Sequence, residues 1–171
     1  MRKRLLALVC VILFVFGLSG CFTAKEKTFE VAGMRIVLTD DFAEKEYITY
    51  TSYYVSQDMV VITLKEDKAT FSQAGISFAN TDLMEYAGMV IRANGLTVKP
   101  NQDEKFTSFV YDKTVSGKDY TYHAFVYKAT DAFWLIQFAT LQKDYEEKIE
   151  DIFKYAGTVT FVNETSSPEI V

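Results

Sequence analysis

The residues that could do chemistry in this chain are few: one histidine, His123, and two cysteines, Cys10 and Cys21, among 171 residues. A Ser-His-Asp relay or a two-histidine metal site needs more imidazole or free thiol than that. His123 stands between Tyr122 and Ala124 in a strand-like run. It reads as a partly buried residue bonded to a neighbour, in preference to a ligand contact or pH sensor. The acidic pairs Asp40-Asp41 and Asp103-Glu104 lack the spaced oxygen ligands and glycine of a calcium loop and read as solvated turns. Ser116-Gly117-Lys118 is followed by a strand pattern, where a phosphate loop needs a helix, so it reads as a hairpin turn. No catalytic set, metal or cofactor is expected. A hydrolase built from dispersed carboxylates is the least supported alternative.

Cys21 is different, because of what precedes it. Arg2, Lys3 and Arg4 form a basic start, Leu5 to Phe16 is an apolar run of about 12 residues, and Gly17, Ser19 and Gly20 are small. This is the layout of a signal peptide and is too short for a spanning helix, which needs about 20 apolar residues. The run Leu18-Ser19-Gly20-Cys21 resembles the bacterial lipobox. The resemblance implies a diacylglyceryl group with palmitate-type chains on the Cys21 sulfur and cleavage between Gly20 and Cys21. Cys10 would leave with the signal peptide. The expected division is a signal peptide over 1–20, a lipidated tether over 21–27, a single domain over 28–162 and a flexible tail over 163–171. The expected location is the extracytoplasmic face of the cell membrane, held by lipid.

Charge supports an anchor of that kind. Loss of residues 1–20 removes three basic side chains and no acid, leaving 15 basic against 23 acidic and a net charge of −8. Such a chain has no electrostatic footprint for nucleic acid and is repelled by anionic lipid, so lipid must supply the attachment.

The elements follow from periodicity. Residues 28–38 read as two short strands around Ala32-Gly33, and 47–56 with 59–65 as a second hairpin. Asn80-Thr81-Asp82 caps a helix whose buried stripe is Leu83, Tyr86, Ala87, Val90 and Ile91, stopped at Gly95. Three strands follow, over 106–113, 120–128 and 132–141. In the last, Phe133 and Leu135 face one way and Trp134, Ile136 and Phe138 the other, so both faces are covered. Asp144 is expected to cap a final helix with Tyr145, Ile149, Ile152, Phe153 and Ala156 buried and Glu146, Glu147, Lys148 and Glu150 wet. Gly157 should end it before a closing strand over 158–162. The fold class is α+β: an antiparallel β-sheet flanked by helices, an α/β/α sandwich.

This order, with the runs Gly33 to Phe42, Tyr86-Ala87, Asn94-Gly95-Leu96 and Asp131 to Phe138, resembles PsbP-like domains, including those of small Gram-positive-type lipoproteins. The resemblance implies an accessory or adaptor protein without enzymatic activity and transfers no functional residues. Tyrosines crowd 47–54 and 111–127, which reads either as good strand packing or as a sticky sheet face for a partner. The candidate contact residues are Tyr53, Tyr54, Tyr86, Tyr122, His123, Trp134 and Phe138. The expected function is a membrane-anchored binding module acting on an envelope protein. The alternative is a small-molecule or lipid carrier with a pocket between sheet and helix around Trp134, Phe138 and Tyr86.

Overall fold

The computed structural model describes residues 24–162. Gly20, Cys21 and the stretch 163–171 lie outside the described residues.

Among the described residues, two sheets and three helices surround two cores. Strands β1 (Glu26–Val31), β2 (Met34–Thr39) and β10 (Thr160–Phe161) make a small sheet in the order β1-β2-β10. The large sheet runs β3 (Ala43–Lys45), β4 (Ser52–Val55), β5 (Met59–Asp67), β9 (Ala132–Leu141), β8 (Lys118–Lys128), β7 (Thr107–Val115) and β6 (Asn101–Gln102). Every pairing is antiparallel. The helices are α1 (Lys68–Gln73), α2 (Leu83–Ala93) and α3 (Tyr145–Gly157). Strand β1 includes Glu26 and Lys27, which belong to the stretch 21–27 assigned to the tether.

Turn chemistry sets two of the registers. Ala32 and Gly33 have φ of 47° and 87°, and Ser116 and Gly117 have 52° and 78°. Two consecutive left-handed residues suit the right-handed twist of the flanking strands, and glycine relieves the second position. Val31 therefore opposes Met34, and Val115 opposes Lys118.

Strand β9 is the centre and is buried on both faces, as its apolar pattern requires. Phe133 and Leu135 join Phe71, Tyr86, Ala87, Ile91, Phe109 and Ala124 beneath α1 and α2. Trp134, Ile136 and Phe138 join residues of the small sheet and α3 on the opposite side. That second layer is part sheet and part helix, where the sequence suggested helix alone. Lys65 links the layers: its Nζ donates to the Ala32 carbonyl at 3.1 Å and pairs with Asp131 at 3.1 Å.

Several elements depart from the sequence reading. Helix α1 was not expected, because only Phe71 of its six residues is buried and no stripe is visible. Asp67 starts it, accepting from Thr70 N at 2.8 Å. The strand expected over 47–56 begins only at Ser52, since residues 46–51 form a loop. Asp82 caps α2 as expected, accepting from Glu85 N at 2.8 Å. Asp144 makes no capping bond, because a 3-10 turn (Gln142–Asp144) leads directly into α3. Phe153, assigned to the buried stripe, is 45% exposed at the rim. Gly157 is the last residue of α3, and Thr158 closes it by donating to the Tyr155 carbonyl at 2.7 Å.

Candidate functional site: a tyrosine-lined sheet face

Register decides which tyrosines meet. Side chains alternate across a strand, and residues paired across strands share a face. Tyr53 opposes Ile62, Ile62 opposes Gln137, and Gln137 opposes Ala124, which places Tyr53 on the face that carries α1 and α2. Tyr111 opposes Tyr122, and Tyr120 is two residues before Tyr122 on the same strand, so all three share that face. They lie toward the Ala139–Leu141 end, past the Phe133 and Leu135 positions that α2 covers.

The loop before β4 completes the group. Tyr50 N donates to the Tyr47 carbonyl at 3.1 Å, a tight turn that brings both rings onto Tyr53. Ring centroids are 5.2 Å apart for Tyr47–Tyr50, 5.4 Å for Tyr47–Tyr53 and 6.0 Å for Tyr50–Tyr53. Tyr111 and Tyr122 form a second stack at 5.0 Å with planes 10° apart. Tyr47 is 57% exposed, and Ile48 at the loop tip is wholly exposed. Each such ring pair is worth about 0.5–1.5 kcal/mol beyond area burial, so the face is ordered before any partner arrives.

The hydroxyls remain donors. Burial first, then the neighbouring Tyr47, Tyr50 and Tyr120, raise the Tyr53 pKa. Burial first, then Tyr50, Tyr53 and Tyr120, raise that of Tyr122. Burial followed by Tyr122 and Tyr50 raises Tyr111, whose hydroxyl donates to Gln137 Oε1 at 2.5 Å. The face therefore offers flat apolar area with neutral phenols at its edge, the composition that partner-binding surfaces favour.

Of the seven contact candidates, Tyr53 and Tyr122 are in this group. Tyr54, one residue from Tyr53, is fully buried on the other side of the sheet, 4.7 Å from Phe29, with Ser52 beside its hydroxyl. Trp134 and Phe138 are core residues on that same far side. His123 is buried there too, stacked on Phe125 at 4.4 Å, with Tyr145 Oη 3.1 Å from its Nδ1. Burial lowers its pKa to about 4. Tyr86 lines a cavity of about 240 Å³ between β5, α1 and α2. Trp134 and Phe138 point away from that cavity, because their positions on β9 alternate with Leu135, which lines it. Among the described residues, no group of three or more His, Cys, Asp or Glu could hold a metal ion. Among them also, no helix is long and apolar enough to cross a membrane.

No protein-family model and no curated protein matches the sequence. Solved structures do match the backbone. A Bacteroides thetaiotaomicron protein aligns over 85% of this chain with a TM-score of 0.56 and 10% identity. The chain spans about half (51%) of that protein. The cyanobacterial PsbP of Synechocystis aligns over 84% of this chain and 96% of its own, with a TM-score of 0.50 and 7% identity. The fold is of the PsbP/Mog1 type. The Saccharomyces cerevisiae Ran-binding protein Mog1p, with a TM-score of 0.50 and 10% identity, covers 82% of this chain and 97% of its own. At these identities the PsbP/Mog1 likeness establishes architecture and carries no residue roles.

Proposed function

We propose that this chain is a lipid-anchored, extracytoplasmic binding module without enzymatic activity that grips an envelope protein through its tyrosine face. One observation carries the reading: Tyr47, Tyr50, Tyr53, Tyr111, Tyr120 and Tyr122 share the part of one sheet face past α2, with Ile48 fully exposed beside them. Large rings with few rotatable bonds give contact area at low entropic cost. That Mog1p, of like fold, is a Ran-binding protein supports protein binding as something this architecture can do.

The anchor rests on Cys21. One acyl chain holds a protein marginally, and two make a durable attachment. Glu26, where β1 begins, is five positions after Cys21, so the linking chain spans at most about 18 Å. A domain held so close to the bilayer searches for its partner in the membrane plane at raised effective concentration.

Two outcomes test this. Intact-mass measurement of the membrane-extracted protein should show a diacylglyceryl adduct that Cys21→Ala lacks; an unmodified wild-type Cys21 sinks the anchor. A double variant, Tyr50→Ala with Tyr53→Ala, should keep its fold and lose at least about 30-fold in partner affinity, the size of one truncated hot-spot residue. Unchanged partner affinity in the folded variant sinks the tyrosine face.

A further inference from the structure

A second site lies on the same side of the large sheet, under α1 and α2. Along β5, Ile62, Leu64 and Glu66 share the face that packs on the helices, because each opposes a β9 residue of that face: Gln137, Leu135 and Phe133. The stripe is apolar until Glu66, whose carboxylate reaches the wall of the 240 Å³ cavity. Glu66 is half-buried, and among the described residues it has no ion-pair partner. Lys65 and Lys68 flank it in sequence, yet Lys65 pairs with Asp131 and Lys68 sits over the Phe78 ring. Tyr86 lies on the same wall. It is 2% exposed, and the Glu66 carboxylate stands beside its hydroxyl, acting on it both as hydrogen-bond acceptor and as a charge.

A half-buried carboxylate that meets a phenol and no cation keeps part of its desolvation cost, because one phenol satisfies only one of its lone pairs and none of its charge. Around them the cavity is apolar, with Leu64, Phe71, Ile76, Met89 and Leu135 on its walls. Among the described residues that line it, Glu66 is the only charged one. We propose that this cavity binds a small amine, an apolar body of roughly ten heavy atoms carrying one ammonium group that pairs with Glu66 against the Phe71 and Tyr86 rings. The sign of the charge selects the class. A fatty acid or phosphate ester would bring a second anion to Glu66 with no basic residue on the wall to receive it. The proposal stands apart from the tyrosine face and from Cys21.

The full chain, purified in detergent with methyl-labelled methionine, reports binding through Met89 on the cavity wall. The probes are 3-phenylpropylamine and the matched acid, 3-phenylpropanoate. The amine should shift the Met89 methyl signal saturably, and the acid should bind at least about tenfold more weakly. Glu66→Gln should weaken the amine about tenfold while leaving the thermal midpoint close to wild type. The two probes see the same micelles in the wild-type protein, so their comparison stands even where the variant folds poorly. Equal binding of amine and acid, no Met89 shift with the amine, or full amine affinity in folded Glu66→Gln each overturn the proposal.

Discussion

Trp134→Ala is expected to lower the unfolding free energy by about 3–5 kcal/mol, the range for truncating a large buried aromatic. Trp134 is 1% exposed and stands where the two sheets meet. Its ring is 5.8 Å from Phe161 of β10, and the Lys65 ammonium lies 5.7 Å from its centroid. Alanine there opens a void between the layers, and neither sheet can close it without moving a strand. Against a typical total of about 5–15 kcal/mol, this is a large fraction of the fold's stability. Urea unfolding followed by circular dichroism measures it as a fall in midpoint. Ile48→Ala is the control: its wholly exposed side chain should cost about 0.5 kcal/mol or less. Equal midpoints for the two variants would mean that Trp134 does not hold the sheets together.

The second large effect is a dependence on acid that belongs to His123. Its pKa is lowered by burial to about 4 in the folded protein, against about 6.5 in an unfolded chain. Between those values the unfolded chain binds the extra proton and the native state does not. Stability from this group is thus complete above about pH 6.5, falls as pH drops toward 4, and falls no further below that. A gap of this size corresponds to roughly 3 kcal/mol. The neighbours are aromatic: Phe125 stacked at 4.4 Å, Phe153 edge-on at 5.1 Å, and the Tyr145 hydroxyl. None offers a carboxylate to receive the new charge. His123→Phe preserves the stacking and removes the proton site, so its stability should fall less between about pH 7 and pH 4.5 than that of wild type. Carboxylate titrations are common to both proteins and cancel in the difference. Parallel pH dependences would show that His123 titrates normally.

The sequence was most readable where one periodicity met one burial demand. The double apolar pattern of β9 called for layers on both sides, and the Asp82 cap with its stripe located α2. Short elements were not readable: β3, β6 and α1 have two to six residues, too few for a period to show. The tyrosine face was half visible. Crowding of tyrosines over 47–54 and 111–127 is plain in the chain. Their sorting is not, because neighbours such as Tyr53 and Tyr54 go to opposite faces and only cross-strand register says which. Tyr47 and Tyr50 join through a loop that reads as strand. Glu66 could have been found from the alternation Ile62, Leu64, Glu66 once β5 is recognised as covered, since an acid on a buried stripe is the anomaly worth following.

The measurement that bears most directly on the tyrosine face is site-specific photocrosslinking in living cells. A photoreactive residue replaces Tyr50 in one variant and Glu147, on the exposed side of α3 across the large sheet, in another. One dominant envelope-protein adduct from position 50 and little from position 147 is the predicted result. The same adducts at equal yield from both positions, or none from position 50 in a folded and membrane-attached protein, would contradict it.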